Sequence, residues 1–138
     1  MREALREARK SFERDEVPVG AVVVANGKII ARAHNLTETL NDVTAHAEMQ
    51  AITCAASYLG GKYLKDCTLY VTFEPCLMCA GALYWTQIPR IVYGATDVKR
   101  GFSLWPSSPL HPATTLTGGV LAKECADILT DFFKKKRK

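Results

Sequence analysis

Two short clusters constrain this chain more than any other feature: His46-Ala47-Glu48 and Pro75-Cys76-Leu77-Met78-Cys79, with thirty residues from His46 to Cys76. Each stands where a helix should open. Polar residues over 35–44 lead into a helical stretch, 45–59, that closes at Gly60-Gly61. The alternating β-formers of 68–73 lead through Glu74-Pro75 into an apolar helix over 76–85. A strand between two helices is enough chain to bring both helix starts to one place, so the fold must juxtapose one His, one Glu and two Cys.

Those residue types at that spacing favour a metal. Cys76 and Cys79, three apart, share a helix face, and a helix N-terminus lowers thiol pKa. His46 with the two cysteines makes three N/S ligands, which leaves one tetrahedral position for water, the mark of a catalytic rather than a structural zinc. Residues two apart on a regular helix point about 200° away from each other, so His46 and Glu48 converge only in a first turn. Two thiolates already neutralise a divalent zinc, which assigns Glu48 as the acid/base. A thioredoxin-type dithiol is the alternative for Cys76 and Cys79, but it offers no use for His46 and Glu48.

The rest of the chain supplies a frame. Leu5, Ala8 and Phe12 mark an amphipathic first helix ending before Pro18. Strands over 19–25 and 28–34 flank Asn26-Gly27, the signature of a type I′ hairpin. A further strand is expected over 90–95, irregular chain over 96–112, a short strand over 114–117, and a final helix with an apolar stripe of Leu121, Cys125, Ile128, Leu129 and Phe132. Strand–helix–strand succession after a hairpin implies α/β architecture with helices on both faces of a mixed sheet of about five strands. The helix over 76–85 is apolar all round, so the sheet covers one side and a partner subunit is a candidate for the other.

At 138 residues the chain reads as one domain, 1–138, whose end, 121–138, is a basic helix and tail. Net charge is +4, but residues 134–138 carry five positive charges, leaving −1 on everything before them. That argues against a surface coated for nucleic acid and for one focused basic contact, or none. Five cysteines and an opening with no signal-type apolar stretch argue for free thiols, no membrane span and a cytoplasmic protein; Cys54, Cys67 and Cys125 read as small packing residues.

The His-Ala-Glu and Pro-Cys-Leu-Met-Cys motifs resemble the signature of the zinc-dependent cytidine and nucleobase deaminases. The segments EVPVGAVVV, TAHAEMQAI, TLYVTFEPCLMCAGALYW, RIVYGATDVKRG and ECADILTDFFKKKRK extend the resemblance over nearly the whole chain, toward the branch acting on the wobble adenosine of tRNA. It implies a cytidine-deaminase-like three-layer α/β/α sandwich with a five-stranded mixed sheet, a homodimer, one Zn2+ per chain, and conversion of adenosine to inosine with release of ammonia. By likeness Asn35 contacts the adenine edge, Asp97 and Lys99 lie near the flipped nucleotide or its backbone, and Phe133 and Arg137 contact the anticodon loop. His34 departs from the aromatic residue often found there, and the chain starts as if partway along its first helix.

Two rivals follow. One is a free-base deaminase, of guanine or cytosine, the guanine branch sharing the ALYW sequence, but an aromatic-plus-basic C-terminus has no role on a base lacking phosphate. A non-catalytic zinc-stabilised RNA-binding module needs a fourth protein ligand, for which His34 or Cys67 are candidates.

Overall fold

The computed structural model describes residues 1–137. The elements run α1 (Arg2–Glu13), β1 (Gly20–Ala25), β2 (Lys28–His34), α2 (Ala47–Leu59), β3 (Cys67–Phe73), α3 (Leu77–Thr86), β4 (Arg90–Ala95), a 3-10 turn (Phe102–Leu104), β5 (Thr115–Thr117) and α4 (Ala122–Lys136). Asn26 and Gly27 both take positive φ, 52° and 72°, as a type I′ turn demands, and they join β1 to β2.

The five strands form one sheet in the order β2-β1-β3-β4-β5. β1 is antiparallel to β2 and β3, while β3, β4 and β5 are parallel. Alternation along the strands sends side chains to two helical layers. Ala21, Val23, Leu69, Val71 and Ile91 pack with Ala47, Ala51, Ala55, Ala80 and Leu83 of α2 and α3. The opposite face carries α1 and α4: a Cβ on Gly20 would strike the α1 backbone at Ala4 and Ala8, and one on Gly94 would strike Cys125 of α4. Glycine at these two positions lets each helix lie directly on the sheet. This is the expected α/β/α sandwich.

Both site helices begin later than their apolar patterns suggest. His46 and Cys76 are N-caps with extended backbone, φ/ψ of −69°/157° and −73°/173°, so α2 starts at Ala47 rather than 45 and α3 at Leu77 rather than 76. The apolar pattern counts the cap as helical, whereas its backbone stays outside. Cys67 and Cys125 are buried as expected, but Cys54, on α2, is exposed rather than a packing residue. The basic run is mostly ordered helix: α4 extends to Lys136, Lys136 pairs with Asp15, and Lys135 lies 5.4 Å over the Phe12 ring. Lys138 lies outside the described residues. Among the described residues no helix is long and apolar enough to cross a membrane.

Candidate metal centre and active site

Strands β3 and β4 end at the same edge of the sheet at which β1 begins and β2 ends. The chain entering α2 and the chain entering α3 both start from that edge, which is how residues thirty apart meet. His46 Nδ1 lies 3.7 Å from Cys76 Sγ and 3.5 Å from Cys79 Sγ. All three ligand atoms fall within 4.8 Å of one another, the one such His/Cys/Asp/Glu group among the described residues. Tetrahedral zinc with ordinary Zn–N and Zn–S bonds would set N···S edges of about 3.6 Å, so the donor set fits that ion. Neither proposed fourth ligand joins it. His34 Nδ1 pairs with Glu7 Oε1 at 3.1 Å, and Cys67 Sγ points to the Lys65 carbonyl at 3.5 Å.

The electrostatics favour thiolate at this point. The Cys79 hydrogen bond, with help from His46 and against the cost of burial, lowers Cys76 to about 4. The same Cys76 contact and burial push Cys79 upward, and the Cys76 partner raises His46. The three donors thus titrate together, and a divalent cation binding them would displace the protons they hold. Glu48, in the first turn of α2 and 4% exposed, is raised to about 7 chiefly by burial. A carboxyl in that range can both take and give a proton near neutrality.

A cavity of about 750 Å³ opens over this floor. His46, Glu48 and Cys76 line its base, with Cys79 fully buried behind them. The structure brings every other sequence-predicted residue to its walls: Asn35, Asp97, Lys99, Phe133 and Arg137. Asn35 is nearly buried, its Nδ2 donating to the Val17 carbonyl at 3.2 Å and its Oδ1 accepting from the Thr37 N–H at 3.4 Å. Asp97 caps its own turn, with Oδ1 accepting the Lys99 and Arg100 N–H groups at 3.0 Å each. Phe132 is core, while Phe133 is 44% exposed at the rim.

Sequence reasoning missed Arg100 and Thr37, which also line the cavity. Arg100 follows Lys99 directly, and the paired charge was the available signal. His34 faces α1, and its Nε2 is buried without a partner among the described residues.

Residues 1–95 match the family model for the cytidine and deoxycytidylate deaminase zinc-binding region. The chain is 47% identical to a tRNA-specific adenosine deaminase of Bacillus subtilis (strain 168), covering 100% of this chain and 89% of the relative. A solved structure from biochemical and structural studies of A-to-I editing by tRNA:A34 deaminases at the wobble position of transfer RNA superposes with TM-score 0.86 at 47% identity, covering 94% of this chain and 97% of that one. A guanine deaminase from Bacillus subtilis gives TM-score 0.66 at 42% identity, over 69% of this chain and 61% of its own.

Proposed function

This chain belongs to the cytidine and deoxycytidylate deaminase family, and on that premise we propose that it hydrolyses the wobble adenosine of a tRNA anticodon loop to inosine and ammonia. The observation that carries this reading is the pairing of a His/Cys/Cys floor and buried Glu48 with a cavity mouth bearing Lys99, Arg100, Arg137 and Phe133. A free base uses the floor alone. Cations and an exposed aromatic at the mouth suit a nucleotide still attached to its strand. The tRNA deaminase relatives combine 47% identity with coverage of 94–100% of this chain, which supports the same choice.

Zinc is the cofactor; His46, Cys76 and Cys79 would hold it, and bound there it would supply the Lewis acid that makes water nucleophilic at neutral pH. Glu48 takes the proton of the attacking water and gives it to the ring nitrogen beside the amino-bearing carbon. It then passes the second water proton to the departing amine, so that adenosine and water yield inosine and ammonia. Burial suits Glu48 to this because it brings the pKa to about 7. Asn35 reads the adenine edge at the wall. Lys99 and Arg137 hold phosphate, Asp97 shapes the turn that presents Lys99, and Phe133 stacks on a neighbouring base. An anticodon loop is already unpaired, which lowers the cost of extruding a base.

We read residues 1–138 as one deaminase domain working in the cytoplasm, where its substrate class resides. The exposed Leu77, Met78, Tyr84 and Trp85 of α3 supply the contact for a second copy, making a homodimer. Incubation with total bacterial tRNA, followed by reverse-transcription sequencing, tests the function: wobble adenosine should read as guanosine, and guanine and cytosine assayed beside it should release no ammonia. Ammonia from guanine with tRNA unchanged would overturn the reading.

A further inference from the structure

Two buried carboxylates take no part in this chemistry, and neither forms an ion pair among the described residues. Glu74, just past β3, is 2% exposed. Its Oε1 accepts the Asp97 N–H at 3.1 Å and its Oε2 the Ser103 N–H at 2.9 Å, so it grips the loop after β4 at two points. Gly101 lies across that carboxylate so closely that a Cβ there would overlap its Cδ and both oxygens. Between the two grips Asp97 fixes the N–H groups of Lys99 and Arg100. The cations at the cavity mouth are therefore anchored to the residue two before Cys76.

The opposite wall repeats the device. Glu16 is fully buried, its Oε1 accepting the Glu38 N–H at 3.0 Å and its Oε2 the Thr39 N–H at 2.6 Å, and so it holds the loop that follows Asn35. Burial alone would raise its pKa, yet the donors from Thr39 and Glu38 outweigh this and hold it below the ordinary value. Each of the four carboxylate oxygens accepts a backbone N–H, and both side chains are buried.

We infer that Glu74 and Glu16 are positioning residues for RNA recognition, each using both carboxylate oxygens to hold one wall of the cavity: Glu74 the wall bearing Lys99 and Arg100, Glu16 the wall bearing Asn35 and Thr37. The inference rests on the RNA substrate proposed above. A carboxylate is required because glutamine offers one acceptor and turns an NH2 toward the second N–H, leaving a buried donor unpaired.

The test compares Glu74→Gln, Gly101→Ala and Glu16→Gln with the parent on an anticodon stem-loop, following zinc content, KM, kcat, salt dependence and backbone amide exchange. In Glu74→Gln and Gly101→Ala, KM should rise about tenfold with a smaller fall in kcat, the salt slope should flatten, and zinc should be unchanged. Exchange at the Asp97 and Ser103 amides should quicken. Gly101, which also bridges to Cys76, has φ of −63°, so alanine there meets no backbone strain; its Cβ strikes the Glu74 carboxyl first and leaves that charge in place. Glu16→Gln should raise KM without altering the salt slope, because residues 36–42 carry no cation, and should quicken exchange at Glu38 and Thr39. If the carboxylates acted by charge alone, Glu74→Gln would bind RNA more tightly and Gly101→Ala would be normal; that result overturns the inference. So does an equal loss of kcat and kcat/KM accompanied by loss of zinc. A parent protein inactive on RNA would refute the proposed function instead, while the amide exchange would still report whether the grips exist.

Discussion

At the floor of the cavity the chemical groups sit on helix starts, sealed between sheet and helices, with Cys79 and Glu48 almost wholly out of solvent. At the rim Lys99, Arg100, Phe133 and Arg137 ride on a turn and at the end of α4, exposed to solvent. The floor is fixed by donors that must converge on one point within tenths of an ångström. The rim works by charge and stacking, which tolerate a shift that would ruin coordination. Damage to the floor should therefore appear in metal content or turnover, and damage to the rim in binding.

Cys76→Ala is the strongest challenge to that division. It should abolish stoichiometric zinc, cut activity by about 10³-fold or more and lower Tm, because the ligands tie two helix starts together and metal-binding energy is then folding energy. Elemental analysis, activity and thermal melts read all three. A variant retaining zinc and turnover would remove the floor from the chemistry. Next, Glu48→Gln should keep zinc and fold while lowering kcat about 10²-fold or more, since the amide keeps the shape but shuttles no proton. Near-normal kcat would assign the acid/base elsewhere.

Deleting residues 134–138 should weaken tRNA binding and flatten its salt dependence with zinc unchanged, a rim effect smaller than either of these. The flattening should fall short of five released counterions, because Lys136 is already paired with Asp15 and Lys135 lies over Phe12. Unaltered affinity and salt slope would make the basic run a bystander.

The smallest effect lies outside both regions. Burial works to raise the Glu7 pKa, but hydrogen bonds from Lys10 and His34 outweigh it, so its folded value lies below the ordinary one. Such a carboxylate contributes stability above its unfolded pKa and loses it as pH falls through the lower folded value, so Tm should drop as the pH is taken down through the ordinary carboxylate range and below it. Glu7→Gln should flatten that part of the profile without touching activity at neutral pH. An unchanged profile would mean that the pair contributes nothing.

The floor was legible in the sequence because its residue types are scarce and its helix starts carry their own signals. The hairpin at Asn26-Gly27, the five strands and the layer order follow from local patterns that the tertiary structure respects. Helix bounds slipped by one or two residues because N-caps such as His46 share the apolar run yet keep extended backbone. Glu16 and Glu74 went unread because a carboxylate that caps a distant loop leaves no periodic trace; the partners of Glu16 lie 22 and 23 residues away. The ties from Lys135 and Lys136 to α1 were hidden for the same reason: Asp15 is 121 residues from Lys136.

The sheet also separates two jobs by its own length. Every loop around the cavity leaves one edge; at the other, the chain merely turns back, through Asn26-Gly27, Gly60 and Gln87 in left-handed conformation. Six-residue strands set these edges roughly 20 Å apart. The hairpin turn is thus an attachment point: a fluorophore, an affinity handle or a tether to a second protein joined there would leave the reacting edge free, and two such fused modules could act on one RNA without competing for its anticodon.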